Sequence, residues 1–210
     1  MKPTILYFVD EREEARWAIA PSLERFLASP EIKVVPLAPF AELSQFDVLL
    51  KEPNLGGFFI DQKMRGGSVT YNGIELAGHL RALHPKLPIY ILTGYPPDDE
   101  LNSGAYRVED IVDKEVLEER TLEKAQIIKA RILRRLAVFG DVLNAREQRF
   151  HDLLVKSLKQ PLTAEEEREL GIVEAERLVP TQAEELRDAK SLEKAIEELK
   201  AKLRPDKLNL

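Results

Sequence analysis

Gly57-Phe58-Phe59-Ile60-Asp61-Gln62-Lys63-Met64 constrains this chain more than any other stretch. Large apolar residues in succession, bounded by glycine on one side and charge on the other, read as a strand buried on both faces of a parallel sheet. The run stops at Asp61, which places a carboxylate at the strand's carboxyl end, where open α/β sheets keep their chemistry. Ile5-Leu6-Tyr7-Phe8-Val9 ends the same way, in Asp10-Glu11. Ile89-Tyr90-Ile91-Leu92 ends in Thr93-Gly94, and Asp110-Ile111-Val112-Asp113 ends in Lys114. One Asp at a strand end is usually a helix cap or an Asx turn. Four strand ends that carry an acid pair, an acid, a hydroxyl and an amine in chain order point instead to a shared site.

Between these runs the spacing turns helical. Glu13 to Leu27 sets Ala15, Ile19, Leu23, Phe26 and Leu27 on one face, and Ile74 to Leu83 does the same with Ile74, Ala77, Leu80 and Leu83. Ile32 to Leu37 supplies a further strand, and Phe40 to Leu50 a short helical segment. Arg65 to Gly73 forms a glycine-containing loop after Asp61. Five strands alternating with helices predict an α/β, flavodoxin-like, doubly wound five-stranded parallel sheet over residues 1–120.

From Leu117 the helical period no longer breaks. Leu122, Ala125, Ile128, Ile132, Leu136, Phe139, Leu143, Phe150 and Leu154 mark one face of a helix over about residues 121–159. Such a helix is about 55 Å long at 1.5 Å per residue, more than one domain needs, so part of it leaves the sheet. Thr163-Ala164-Glu165-Glu166 has the pattern of a capping box and opens a short helix over about 164–178. Thr181-Gln182-Ala183-Glu184 repeats the pattern before an amphipathic helix over about 182–203, with Leu186, Leu192, Ile196, Leu199 and Leu203 as its stripe. Residues 121–210 are thus expected to be an all-helical extension. Its stripe folds back on the long helix or docks on a partner or second copy.

Composition narrows the function. The absence of cysteine removes disulfides, thiolate metal sites and thiol catalysis. A net charge of −6 speaks against a general nucleic-acid binder. No helix-turn-helix is discernible after residue 117, so direct DNA binding is not expected. No leader and no apolar run of bilayer length is discernible, and a soluble, cytoplasmic protein without membrane contact is expected. Histidines 79, 84 and 151 lie on separate segments and do not suggest zinc. Arg131, Arg134 and Arg135 read as a solvated basic face.

Asp10-Glu11, Asp61 with Met64 three residues on, Thr93-Gly94 and Lys114 resemble the signature set of the receiver domain of bacterial two-component response regulators. The resemblance covers about the first 117 to 135 residues. It implies that Asp61 is the phosphoacceptor in a phosphorelay. It also implies that Asp10, Glu11, Asp61 and the backbone carbonyl of Lys63 hold Mg²⁺, and that Thr93 and Lys114 contact the phosphoryl oxygens. Such a protein is a phosphoprotein taking its phosphoryl group from a histidine kinase or phosphotransfer protein, and is not otherwise an enzyme. The physical chemistry agrees, because a carboxylate attacking an anionic phosphoryl group needs a hard cation and a fixed ammonium to offset the charge.

The chain departs from the family at Ile111, where an aromatic residue usually reports phosphorylation, and at Glu115, where proline usually follows the lysine. The loop after Asp61 is longer than usual. Tyr95, two residues beyond Thr93, is placed to shield a phosphoryl group from water. Two functions therefore compete: a phosphorylation-dependent regulator that signals through its helical extension, and a receiver-like scaffold or adaptor that works without phosphate. A Mg²⁺-dependent hydrolase of the haloacid type would want an acid where Lys63 stands.

Overall fold

The computed structural model describes residues 3–64, 69–94, 103–118 and 123–174. Within them the chain runs β1 (Thr4–Val9), α1 (Glu13–Leu27), β2 (Ile32–Leu37), β3 (Leu55–Asp61), α2 (Gly73–Leu83), β4 (Ile89–Thr93), β5 (Asp110–Asp113) and α3 (Glu123–Ser157). The five strands form one parallel sheet in the order β2-β1-β3-β4-β5. This is the flavodoxin-like order, with its switch point between β1 and β3.

β3 is central and every one of its residues is buried, which is why its sequence is an unbroken apolar run. Alternate side chains feed two cores. Tyr7, Phe58, Ile60 and Ile91 pack with α2 and with Phe46 and Leu50, while Leu6, Phe8, Phe59 and Leu92 pack with α1 and the first half of α3. The Phe59 and Tyr90 rings stack at 4.9 Å on the second side, and Tyr7 and Phe58 at 5.5 Å on the first. Gly57 has φ +152, and a Cβ there would lie 2.3 Å from the Pro88 carbonyl oxygen, so the start of the β3–β4 pairing requires glycine.

One element differs from the sequence reading, while α1 keeps the expected bounds Glu13–Leu27. Phe40 to Leu50 becomes a 3-10 helix over Leu43–Lys51, opened by reciprocal hydrogen bonds between Glu42 and Gln45. α1 continues through Pro21, although proline removes one helical N–H, because Ala20, Leu23, Phe26 and Leu27 bury its inner face.

α3 runs unbroken for 35 residues, passing through Gly140. Ala125, Ile132 and Leu136 pack into the second core, and Phe139, three residues further on, belongs to the first. The helix thus lies against α1 and then crosses the amino ends of the strands. There the Arg135 guanidinium donates to the Lys86 carbonyl at 2.7 Å, and the His84 ring meets Phe139 edge to face at 5.6 Å. Beyond Leu143 the apolar face changes: Leu153 is buried, whereas Leu154 and Leu158 are exposed. The reason is a different neighbour. Residues 164–174 form a returning helix, held by Arg149–Glu169 and Lys156–Glu166 ion pairs. Its start carries the expected capping box, with the Glu166 N–H donating to Thr163 Oγ1 and the Thr163 N–H to Glu166 Oε2. The stripe from Leu186 to Leu203 lies outside the described residues.

Candidate functional site

The carboxyl edge of the sheet holds a compact acid–amine cluster. Asp10 follows β1 directly and is fully buried; Asp61 ends β3 and is 6% exposed. Lys114 follows β5 and reaches across the edge to donate to Asp61 Oδ1 at 2.5 Å and to Asp10 Oδ2 at 3.3 Å. The remaining carboxylate oxygens take backbone donors. Asp61 Oδ2 accepts from the Lys63 N–H at 3.0 Å, and Asp10 Oδ1 from the Arg12 N–H at 2.9 Å.

Burial pushes the Asp61 carboxyl above its ordinary range, although the Lys114 ammonium pulls the other way. A buried carboxylate beside an ammonium responds strongly to any further cation or anion that arrives next to it.

Thr93 ends β4, is buried, and follows Leu92, the register partner of Asp61. Glu11 is half-buried, and its Oε2 is a buried atom with no hydrogen-bond partner. The Lys63 side chain is exposed, so its contribution to the edge comes from the backbone. Among the described residues no three His, Cys, Asp or Glu side chains are gathered into a metal cluster. Instead, an ammonium joins two of the three acids. The donor set still suits a hard divalent cation: every available ligand is an oxygen, one Glu11 carboxylate oxygen is orphaned, and the two acids that share Lys114 carry one more negative charge than that lysine offsets. Tyr95 lies outside the described residues.

At the positions where the chain departs from the receiver pattern, ordinary packing is found. Ile111 packs against the first core, and the Glu115 N–H donates to Asp113 Oδ1, which caps the turn after β5.

Several supporting residues were not legible in the sequence. Gln62 is buried beside Asp61 and its Oε1 accepts from the Ile74 N–H at 3.2 Å, tying β3 to the start of α2. A Cβ on Gly73 would lie 2.4 Å from the Asp61 carbonyl oxygen, so the loop can return to the site only through glycine. Arg16 Nη1 donates to the Asp10 and Glu11 carbonyls, both at 2.8 Å. The basic face of α3 is not simply solvated: Arg131 pairs with Asp110, and Arg135 pairs with Glu109, which also receives Arg81. The signal missing from the sequence was the pairing itself, since Glu109 and Arg135 are 26 residues apart.

No family model matches the chain, and no curated protein matches it. Solved structures do. The chain is similar to the Francisella response regulator 1452 receiver domain, with 17% identity, a TM-score of 0.44, and coverage of 65% of this chain and 98% of that one. It is similar also to a response regulator receiver domain protein from Clostridium thermocellum, with 14% identity, a TM-score of 0.45, and coverage of 66% and 98%. A third is the apo receiver domain of nitrogen regulatory protein C, with 21% identity, a TM-score of 0.44, and coverage of 67% and 99%. These likenesses are of fold. By its own strand order and alternation of helices, the first part of the chain has the flavodoxin-like fold on which receiver domains are built.

Proposed function

We propose that the protein is a response-regulator-like signalling protein that accepts a phosphoryl group on Asp61 and passes the change on through its helical extension. The observation that carries this reading is the Lys114 ammonium between Asp61 and Asp10 at the carboxyl edge. Asp10, Glu11, Asp61 and the Lys63 carbonyl would hold Mg²⁺, which, when bound, offsets the charge on the incoming phosphoryl group.

The chain's own residues do the rest. The Lys63 N–H and the Lys114 ammonium fix both Asp61 oxygens, so the nucleophile is oriented before a donor arrives. As the bond from the Asp61 oxygen to phosphorus forms, the bond from phosphorus to the leaving group breaks and the leaving group departs with the electron pair. Lys114 then shifts its donor from Asp61 to a phosphoryl oxygen. The Thr93 hydroxyl donates to another. A histidine kinase or phosphotransfer protein is the fitting donor, in the cytoplasm, and the protein's only chemistry is to take up this group.

The extension is the output. Phe139 and Leu136 anchor α3 in the sheet's cores, while the part beyond Leu143 stands away and carries a second helix. We assign to residues 121–210 self-association or the holding of a protein partner, with the Leu186 to Leu203 stripe buried in that contact. Among the described residues, no helix is long and apolar enough to cross a membrane.

The test is mass measurement after exposure to phosphoramidate or acetyl phosphate with Mg²⁺. One phosphoryl group should be added, and Asp61→Asn should abolish the gain. Labelling that persists in Asp61→Asn rejects the acceptor. A wild-type chain that takes no label favours the phosphate-independent scaffold. For the output, Ile196→Asp with Leu199→Asp should abolish self-association or partner capture while the label at Asp61 is retained.

A further inference from the structure

We infer that Arg16 is a positioning residue of the acid site, holding the turn that carries Asp10 and Glu11 by hydrogen-bonding both of their backbone carbonyls from the first turns of α1. The inference rests on the phosphoacceptor reading above.

Apart from the Arg12 N–H that donates to Asp10 Oδ1 at 2.9 Å, the turn between β1 and α1 has little other support among the described residues. The Asp10 N–H reaches the Leu37 carbonyl only at 3.4 Å. The position before α1 is Arg12, whose side chain makes no capping hydrogen bond, so the usual side-chain clasp at a helix start is missing. Arg16 supports the turn differently, by donating to its carbonyls. Its Nη1 donates to Asp10 O and Glu11 O, six and five residues earlier, both at 2.8 Å. Its guanidinium therefore serves carbonyls that no strand neighbour can reach, because the sheet ends at Val9 on this strand.

Holding these carbonyls fixes the direction of both Cα–Cβ bonds. Asp10 and Glu11 must aim their carboxylates at the edge where Asp61 lies, and a turn free to rotate would spend the attraction for a cation on ordering itself. Groups that orient metal ligands without touching the metal typically change affinity by about 10 to 100-fold when removed.

Charge and position predict opposite signs here. Arg16 is a cation close to a cation site, so electrostatics alone makes its removal tighten Mg²⁺ binding. Positioning makes removal weaken it. Arg12 is the control, since its guanidinium also lies near Asp10, with Nε 3.6 Å from Oδ1, but is mostly exposed and holds no carbonyl.

The experiment uses the full chain with Mg²⁺ alone, read by calorimetry, beside hydrogen exchange of the Arg12 amide without Mg²⁺. Arg16→Ala should weaken Mg²⁺ about tenfold or more and speed exchange at Arg12, whose N–H donates to Asp10 Oδ1. Arg16→Lys, which keeps a donor able to reach the carbonyls, should recover most of both, and Arg12→Ala should bind Mg²⁺ slightly more tightly. If Arg16→Ala does not fold, Arg16→Gln carries the same comparison. Equal or tighter Mg²⁺ binding without Arg16, with wild-type exchange at Arg12, overturns the assignment while leaving the acceptor intact. A wild-type chain that neither binds Mg²⁺ nor labels at Asp61 overturns both.

Discussion

Lys114 Nζ lies 2.5 Å from Asp61 Oδ1, joining the ends of β5 and β3 across 53 residues of chain. Neither group is comfortable there alone. Burial raises the Asp61 carboxyl above its ordinary range, and the ammonium pulls it back towards the charged form.

Replacing Lys114 by alanine should therefore cost stability, about 1.5–3 kcal/mol for a hydrogen bond to a charged partner. The cost should be greater at pH 8 than at pH 5, because the orphaned Asp61 relieves itself by taking a proton as pH falls. Urea unfolding of both proteins at the two pH values checks this. An equal cost at both would mean that Asp61 does not depend on Lys114 for its charge.

Glu109 receives two guanidinium groups, Arg81 at 3.1 Å and Arg135 at 3.0 Å. All three side chains are three-quarters or more buried except Arg135, which is 29% exposed. Glu109→Gln should destabilise the protein by about 1.5–3 kcal/mol. Asp110→Asn breaks only the pair to Arg131, which is 62% exposed, and should cost at most about 1 kcal/mol. Chemical denaturation of the two variants in parallel ranks them. The reverse order would show that α3 is not fastened through Glu109.

Phe139 is 4% exposed and contacts the His84 ring where α3 crosses the sheet's amino edge. Phe139→Ala should cost about 3–5 kcal/mol. Val138, one residue earlier and 49% exposed, should tolerate alanine within about 0.5 kcal/mol. Thermal melts of the two variants distinguish an anchored helix from one that merely follows the domain.

His84 should make stability depend on pH. Burial lowers its pKa below the ordinary 6.5, and nearby Arg146 and Arg81 lower it further. The folded protein thus holds the His84 proton less tightly than the unfolded chain does. Its contribution is complete above pH 6.5 and is lost as pH falls through that value towards the lower folded one. His84→Phe should flatten the slope of stability between pH 7 and pH 5.5, measured by denaturant unfolding. An unchanged slope would place the titrating group elsewhere.

How much of this was legible in the sequence depends on the range of the interactions. The strands β1, β3 and β4 were readable because burial on both faces demands apolar runs, and the run at β3 leaves no other place for its residues. α1 and α2 followed from spacing, and Thr163 to Glu166 announced a capping box that local hydrogen bonds realise. The four strand ends also told which side chains would share an edge, since a parallel sheet puts all its carboxyl ends together. Tertiary structure decided what these groups do to one another. Nothing local makes Lys114 bridge Asp61 and Asp10, makes Arg16 hold the acid turn, or brings Glu109 to Arg135, because each contact depends on how far neighbouring elements have turned about their axes. The same holds for α3, whose buried stripe shifts from Phe139 to Leu153 when the neighbouring surface changes from a sheet to a helix. Periodicity determines that a helix has an apolar face; only packing determines which partner it meets, and therefore where along the helix that face turns.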